Sequence, residues 1–248
     1  MKDKIKHMTD KLQGIISPIW ARIYQSRSSN DPVNMITEFI DNFMDQLAKG
    51  ATMICIDIAN PSGIKKLVHP DTNIIVHDNG PGLPTDGDGL PLFFEYMHTH
   101  GGNMSESASG QATSKFGVGS KMAAYSMASQ IVIVSKSKGS PAYVSFCDYK
   151  ELGKQDGDTE SSKCFTWQQD YYANNDRPPT LREMIDDKKF PSKSIKKSAK
   201  THFAVFLNED HSGLGYILGD TSYCGWDDGE VNNFWDTFRK TGIDTALR

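Results

Sequence analysis

The chain has 248 residues, of which 38% are hydrophobic and 23% are charged, an ordinary composition for a globular protein that buries a real core. Its formal net charge of −4 excludes attraction of nucleic acid to the whole surface, although a local basic patch remains possible. The four cysteines lie far apart and form no C-x-x-C pair, so we expect neither a zinc site nor a disulfide framework.

The N-terminal segment carries charges but no apolar run that could act as a signal peptide. No stretch approaches the length that a membrane span requires. We therefore expect a soluble, intracellular protein without a membrane partner, in either the cytoplasm or the nucleus. Residues 1–30 are polar and lack a strong apolar face, so we expect an N-terminal arm, followed by one domain over residues 31–248.

The first well-defined element is a helix that begins after Asp31. Asp31 is a favourable N-cap, Pro32 suits the first helical position, and Gly50 is a common helix terminator. At about 100° per residue, one side of this helix collects its apolar residues, which are Val33, Ile36, Phe39, Ile40, Phe43, Met44 and Leu47.

The rest of the chain predicts mainly strands joined by hairpin-like turns. Strands are predicted over residues 52–58, 73–77, 131–135, 142–146 and 202–207, and a further helix over residues 181–188. Because neighbouring strands are mostly joined by turns, we expect an α+β fold. Its form would be a two-layer sandwich, with helices on one face of a mixed or antiparallel sheet.

The polar side of the first helix carries Glu38, Asp41, Asn42 and Asp45. Such a cluster is most often the solvated face of an amphipathic helix. Here, however, the three acidic groups repel one another, and no basic residue in the helix body compensates. A cation would compensate: Asn42 supplies a neutral oxygen suited to Mg²⁺, and Glu38 could orient and deprotonate a water.

The sequence Asp78-Asn79-Gly80-Pro81-Gly82 follows an apolar strand. Taken alone, it is most often a plain turn between strands. Its glycines also let the backbone approach a ligand closely. A semi-buried carboxylate at this place could accept a hydrogen bond from an exocyclic amine, which would distinguish adenine from guanine.

Residues 83–115 are rich in Gly, Ser, Thr and Asp, and residues 101–114 show no apolar period. A loop of that length inside a compact domain is typical of a lid. The segment Phe116–Gly119 then opens a helix whose N–H groups could bind an anion, with Lys115 and Lys121 on either side. This pattern is neither a Walker A loop nor the dinucleotide-binding fingerprint.

Taken in order, the acidic helix, the D-N-G-P-G turn, the polar lid and the F-G-V-G helix start resemble the GHKL, or Bergerat-fold, ATPases. That family includes gyrase B, MutL, heat-shock chaperone ATPases and MORC proteins. The resemblance spans about residues 31–207, and the run Phe116–Lys121 is most similar to the MORC and chaperone versions.

The resemblance implies a role for each matching residue. Glu38 would be the general base, Asn42 the Mg²⁺ ligand and Asp78 the adenine-binding carboxylate. The other ATP-binding residues that it implies are Gly80 and Gly82 beside the base, Gly117, Val118 and Gly119 at the hinge of the phosphate-binding lid, and Thr201 near the adenine.

Three positions depart from the family pattern: the family often has Gln at the position of Lys115, Ala at that of Gln46 and Gly at that of Lys200. The resemblance implies an Mg²⁺-dependent ATPase in which Lys115 or Lys121 offsets developing charge. Its lid would close over ATP and drive homodimerisation, with residues 1–30 crossing to the partner.

Two other functions stay open. The lysines between Lys188 and Lys200 form a basic run that is either a solvated loop or a contact to DNA phosphates, so the chain could be a nucleotide-gated DNA or chromatin clamp with negligible hydrolysis. A client-binding chaperone is the third reading.

Overall fold

The computed structural model describes residues 32–47, 49–60, 63, 68–85, 87–91, 123–124, 126–148 and 166–223. Its elements, in chain order, are α1 (Pro32–Leu47), β1 (Ile54–Ala59), β2 (Asn73–Asp78), β3 (Gln130–Lys136), β4 (Tyr143–Asp148), α2 (Thr166–Asn174), α3 (Leu181–Asp186), α4 (Lys193–His202), a 3₁₀ turn (Ala204–Leu207), β5 (Gly213–Gly219) and a second 3₁₀ turn (Thr221–Tyr223). Residues 123–124 and 126–127 are also helical.

The five strands form one antiparallel sheet in the order β1-β2-β5-β3-β4. The last strand in the chain, β5, lies in the centre and pairs with both β2 and β3. At one end of the strands, the end of β2, the start of β5 and the end of β3 therefore lie side by side. We call this side of the sheet the sheet edge. In the register of the sheet, His77 pairs with Gly215 and Lys136 pairs with Gly213.

Both faces of the sheet are apolar, because the central strands are buried on both sides. We call face A the side that carries Ile74, Val76 and Ile133, and face B the side that carries Ile75 and Val132. Side chains alternate between the two faces along each strand, and each face has its own buried cluster. Continuous apolar runs such as that of β3 are the sequence signature of a strand covered on both sides.

Helix α1 packs on face A through Ile36, Phe39 and Ile40, which are 2–5% exposed. Burial of side chains of this size contributes about 1.5–3 kcal/mol each. The helix ends as predicted: Gly50 has a φ of +98°, and its N–H donates to the carbonyl of Leu47. The predicted apolar face is wrong at its C-terminal end, since Met44 and Leu47 are 41% and 44% exposed.

Face B is covered by α3, α4 and the first 3₁₀ turn. Helix α3 begins with a capping box, in which the Thr180 hydroxyl accepts from the Glu183 N–H and the Glu183 carboxylate accepts from the Thr180 N–H. The glycines of β5 let this layer approach the sheet closely. A Cβ on Gly215 would lie 2.8 Å from Cζ of Phe203, and one on Gly219 would lie 2.8 Å from Cδ1 of Ile195.

The α+β class and the antiparallel sheet are confirmed. The predicted layering differs in one respect: the described helices cover both faces of the sheet rather than one. The reason is the second apolar face of the central strands, which needs its own cover. In the described part of the chain, no helix combines the length and the apolar character that a membrane span requires.

The predicted strand over residues 202–207 is wrong. Phe203 and Phe206 are buried while Val205 and Leu207 are exposed, so burial repeats every three residues, as in a 3₁₀ turn, instead of every two. The fifth strand is β5, a stretch with three glycines that gave no strand signal. The predicted arm, the lid over residues 101–114 and the helix start at Phe116–Lys121 lie outside the described residues.

Candidate functional site

Asp78 ends β2 on the face A side of the sheet edge. Asp78 is only 7% exposed, and its Oδ1 accepts hydrogen bonds from the Gly80 N–H at 2.8 Å and the Leu214 N–H at 3.1 Å. Burial raises the pKa of Asp78 to about 6, although the two backbone N–H donors oppose that rise. The carboxyl group is thus poised to change its charge near neutral pH.

The turn after Asp78 is fixed by Asn79. The Asn79 Oδ1 accepts from the Thr52 N–H at 2.8 Å and the Met53 N–H at 2.9 Å, and its Nδ2 donates to the Thr52 hydroxyl at 2.9 Å. Asn79 therefore ties the turn to the segment that enters β1. The side chain of Asp78 is oriented by its own hydrogen bonds to the backbone of Gly80 and Leu214.

Glycine is required in this turn for space and for conformation. Gly82 has a φ of +84°, and a Cβ there would lie 2.8 Å from the Lys136 carbonyl oxygen. Gly213, at the start of the neighbouring strand β5, packs so closely on the Asp78 carbonyl that a side chain has no room. The Leu83 N–H then donates to the Ser135 hydroxyl at 2.9 Å, which anchors the chain beyond the turn to β3.

Three polar residues of α1 form what we call the polar stripe: Glu38, Asn42 and Gln46. They are spaced four residues apart and so lie along one side of the helix. Their burial increases along the stripe, because Glu38 and Asn42 are half-buried and Gln46 is only 2% exposed. The stripe runs from solvent toward the turn at Asp78. Asp41 is also half-buried, and the side chain of Asp45 lies outside the described part of the structure.

Glu38 and Asn42 offer the chemistry that the sequence predicts. Burial, helped by the nearby Asp41 carboxylate, raises the pKa of Glu38 and makes it a better proton acceptor near neutral pH. The Asn42 Nδ2 atom is buried and has no hydrogen-bond partner among the described residues. An unpartnered N–H donor fits a group that donates to a ligand. The metal role would fall to the other carboxamide atom, the oxygen, which is of the kind that suits Mg²⁺. The described residues contain no cluster of three His, Cys, Asp or Glu side chains that could hold a metal.

Gln46 lies closest to Asp78. A Cβ placed on Gly80 would lie 3.1 Å from the Asp78 Oδ1 and also 3.1 Å from the Gln46 Oε1, so both oxygens border the same small space. In the sequence alone, Gln46 is only a departure from the family pattern. Its position four residues after Asn42 was the signal that placed it on the same side of the helix.

Thr201 does not lie where the sequence predicted. It is exposed in the last turn of α4, and its hydroxyl donates to the Lys197 carbonyl at 3.1 Å. Helix α4 packs on face B, whereas the Asp78 side chain lies on the face A side. The prediction failed because it depended on the strand over residues 202–207. Lys115, Gly117, Val118, Gly119 and Lys121 lie outside the described residues.

The basic run is not a loop for most of its length. Lys193, Lys197 and Lys200 are exposed residues of α4, while Ile195 and Ala199 on the other side of the helix are buried on face B. Ser192 is the N-cap of helix α4, and its hydroxyl accepts from the Ile195 N–H at 3.3 Å. The structure therefore sets these lysines in a fixed row.

A separate cavity of about 420 Å³ lies at the same edge of the sheet but on the face B side. Lys136, Arg182, Phe206 and Glu209 are among the residues that line it. None of the residues predicted for the nucleotide site lines it.

Comparisons with known proteins identify the family to which the motifs point. A family model described as histidine kinase-, DNA gyrase B- and HSP90-like ATPase matches residues 31–176, more than half of the chain. None of the curated proteins is a significant match. Solved structures that match include the ATP-binding domain of topoisomerase IV from Francisella tularensis in complex with a small-molecule inhibitor. That match has 14% identity and a TM-score of 0.38, and it covers 92% of this chain and 85% of that one.

The raised pKa of Asp78 predicts a pH dependence of folding. Between about pH 4, where an unfolded aspartate titrates, and pH 6, the folded protein binds the extra proton, so this group's contribution to stability falls as the pH rises. In Asp78→Asn that contribution is absent. The wild type should lose up to about 3 kcal/mol relative to Asp78→Asn across this interval, since each pKa unit corresponds to about 1.4 kcal/mol. Urea unfolding at a series of pH values measures the difference, and parallel curves for the two proteins would contradict it.

Proposed function

Because the chain belongs to the histidine kinase-, DNA gyrase B- and HSP90-like ATPase family, we propose that it binds ATP at the sheet edge around Asp78 and hydrolyses it with Mg²⁺. One observation carries the proposal. A buried carboxylate, fixed by backbone N–H groups, lies beside a helix whose polar stripe offers a metal ligand and a proton acceptor.

Asp78 is the residue that we assign to the adenine. Both of its described backbone hydrogen bonds end on Oδ1 and hold that oxygen in place, and we assign the second oxygen to the exocyclic amine of the base. An amine donor favours the ionised carboxylate, so nucleotide binding would offset the cost that burial imposes on its charge. Gly80 and Gly82 would let the backbone come close to the base.

Asn42 and Glu38 are assigned to the phosphate end of ATP. The Asn42 carboxamide oxygen would be a ligand of Mg²⁺, which supplies neutralisation of charge on the phosphate oxygens when it is bound. Glu38, one helical turn earlier, would accept a proton from the attacking water. Its raised pKa favours that task, because a base is most effective when its pKa is near the working pH.

The remaining parts of the mechanism are proposals on residues outside the described structure. Gly117, Val118 and Gly119 would bind phosphate oxygens through their backbone N–H groups, and Lys115 or Lys121 would offset developing negative charge. Closure of the lid over residues 101–114, followed by homodimerisation through residues 1–30, would couple the ATP cycle to a larger conformational change.

Glu38→Ala should abolish turnover and leave binding intact. Loss of a general base lowers a rate by about 10²–10⁴-fold, whereas ATP affinity should stay within about threefold, because Glu38 is not assigned to ground-state binding. Phosphate release and isothermal titration calorimetry measure the two quantities. Glu209→Ala, which removes an exposed glutamate on the face B side, is the control and should turn over normally. Turnover retained by Glu38→Ala would refute the assignment of the base.

Asp78→Asn should strongly weaken ATP binding itself. A hydrogen bond to a charged group is worth about 1.5–3 kcal/mol, so the affinity should fall by roughly 10–100-fold. The matched control is Asp170→Asn, which makes the same change at an exposed position of α2. Thermal unfolding of both variants shows whether each is folded. An unchanged affinity in folded Asp78→Asn would refute the adenine assignment.

A second candidate function is nucleic-acid binding, which the row of lysines on α4 favours. Lys193, Lys197 and Lys200 are spaced four and three residues apart, so they lie on one side of the helix. Exposed lysines in a row can follow successive phosphates, and they would give affinity without base specificity. In this case the ATP cycle would gate a clamp on DNA or chromatin.

Replacing Lys193, Lys197 and Lys200 with Gln should weaken DNA binding uniformly across sequences. Each lost phosphate contact should lower the slope of log K against log salt by about 0.9 for duplex DNA. Lys138→Gln, an exposed lysine in the turn between β3 and β4, is the control. Fluorescence anisotropy with duplex DNA at several salt concentrations measures the slope. An unchanged slope in the triple variant would exclude this surface.

A further inference from the structure

We propose that Gln46 is a specificity-determining residue of the nucleotide site and that, together with Asp78, it accepts hydrogen bonds from the exocyclic amine of adenine. The proposal rests on the function proposed above and deepens it. It assigns the choice of base to a pair of side chains from two different elements, α1 and the end of β2.

The position of Gln46 carries the inference. The residue is only 2% exposed, yet its Oε1 has no hydrogen-bond partner among the described residues. Together with the Asp78 Oδ1, it borders the space beside the Cα of Gly80, where a side chain would lie 3.1 Å from both oxygens. The carboxamide oxygen of Gln46 and the carboxylate of Asp78 therefore lie close together beside Gly80. Because Oδ1 of Asp78 accepts from two backbone N–H groups, the amine is assigned to the second carboxylate oxygen and to the Gln46 Oε1.

Protein stability alone does not explain a carboxamide here. A buried polar atom without a partner costs about 1–3 kcal/mol, and an apolar side chain of similar volume would avoid that cost. The other buried glutamine on the described chain gives the contrast. Gln168 is 1% exposed, and its Oε1 accepts from the Phe146 N–H at 2.7 Å while its Nε2 donates to the Ser145 hydroxyl at 3.2 Å. Gln168 is satisfied within the protein, and the Oε1 of Gln46 is not.

The chemistry of adenine matches these two acceptors. Its exocyclic amine carries two N–H groups, so Asp78 can accept one while Gln46 accepts the other. The neighbouring ring nitrogen of the base is an acceptor that the Gln46 Nε2 can reach as a donor, as glutamine does when it pairs with adenine. Guanine and hypoxanthine carry a carbonyl oxygen in place of the amine. With Gln46 oriented as in the structure, that oxygen would face two acceptor oxygens, and neither oxygen could donate to it.

The test uses ATP and N6-methyl-ATP, which differ by one N–H of the amine, with GTP as a third probe. The wild type should bind N6-methyl-ATP at least tenfold more weakly than ATP. Gln46→Ala should bind both with nearly equal affinity, within about threefold, because the partner of the second N–H is gone. Gln46→Met, which keeps the volume of the side chain, guards against a variant that does not fold. Binding is measured by calorimetry, and folding by thermal unfolding.

Gln168→Met is the control for loss of a buried carboxamide. It should lower the unfolding temperature and leave the ratio of ATP to N6-methyl-ATP affinity at the wild-type value. The proposal is overturned if folded Gln46→Ala or Gln46→Met discriminates between the two nucleotides as the wild type does. Equal tightening of both nucleotides in Gln46→Ala would also overturn it, since the side chain would then only fill the pocket.

The outcomes separate this proposal from the function on which it rests. A wild type that binds neither ATP nor GTP would overturn both. A wild type that prefers GTP would overturn the assignment of two acceptors, because the Gln46 carboxamide would then present its donor to the base. ATP binding that depends on Asp78 but not on Gln46 would overturn this inference alone.

Discussion

The carboxylate of Asp78 lies in a buried position that disfavours its charged form, and two backbone N–H groups hold it there. One donor, Gly80, belongs to the turn after β2, and the other, Leu214, belongs to the start of β5. The same bonds that orient the side chain therefore tie the turn to the central strand. The donors lower the pKa and burial raises it, and burial prevails, with the pKa at about 6. A group in that balance responds strongly to a donor supplied by a ligand.

The packing of the sheet holds the carboxylate of Asp78 in this buried position. Face A and face B are both apolar, so the sheet edge at Asp78 is held between helix α1 on one side and the α3–α4 layer on the other. Close packing at Gly82 and Gly213 leaves the backbone little freedom near the carboxylate. Helix α1 in turn carries the polar stripe from solvent down to Gln46. The site is thus built from regular elements whose positions are set by the core, which favours a preorganised pocket.

Much of this could be predicted from sequence because the signals are local. The helix at Pro32 has a favourable start and a glycine end, and the strand before Asp78 is a short apolar run that the structure extends by a single residue. The order of the motifs identified the family without any structure. The failures also have a physical cause. Strand β5 contains Gly213, Gly215 and Gly219, which lower strand propensity, and its formation depends on pairing with distant strands. The error over residues 202–207 then misplaced Thr201. Gln46 was not predicted as a site residue because its burial depends on tertiary packing.

The central claim is that the buried carboxylate of Asp78 receives the base of ATP. The most direct measurement is a crystal structure of the protein with a non-hydrolysable ATP analogue and Mg²⁺. The account predicts the exocyclic amine of adenine within about 3 Å of the Asp78 carboxylate, with Asn42 and Glu38 at the phosphate end. A nucleotide bound elsewhere, for example in the cavity beside Arg182 on face B, with Asp78 contacted only by protein, would contradict it.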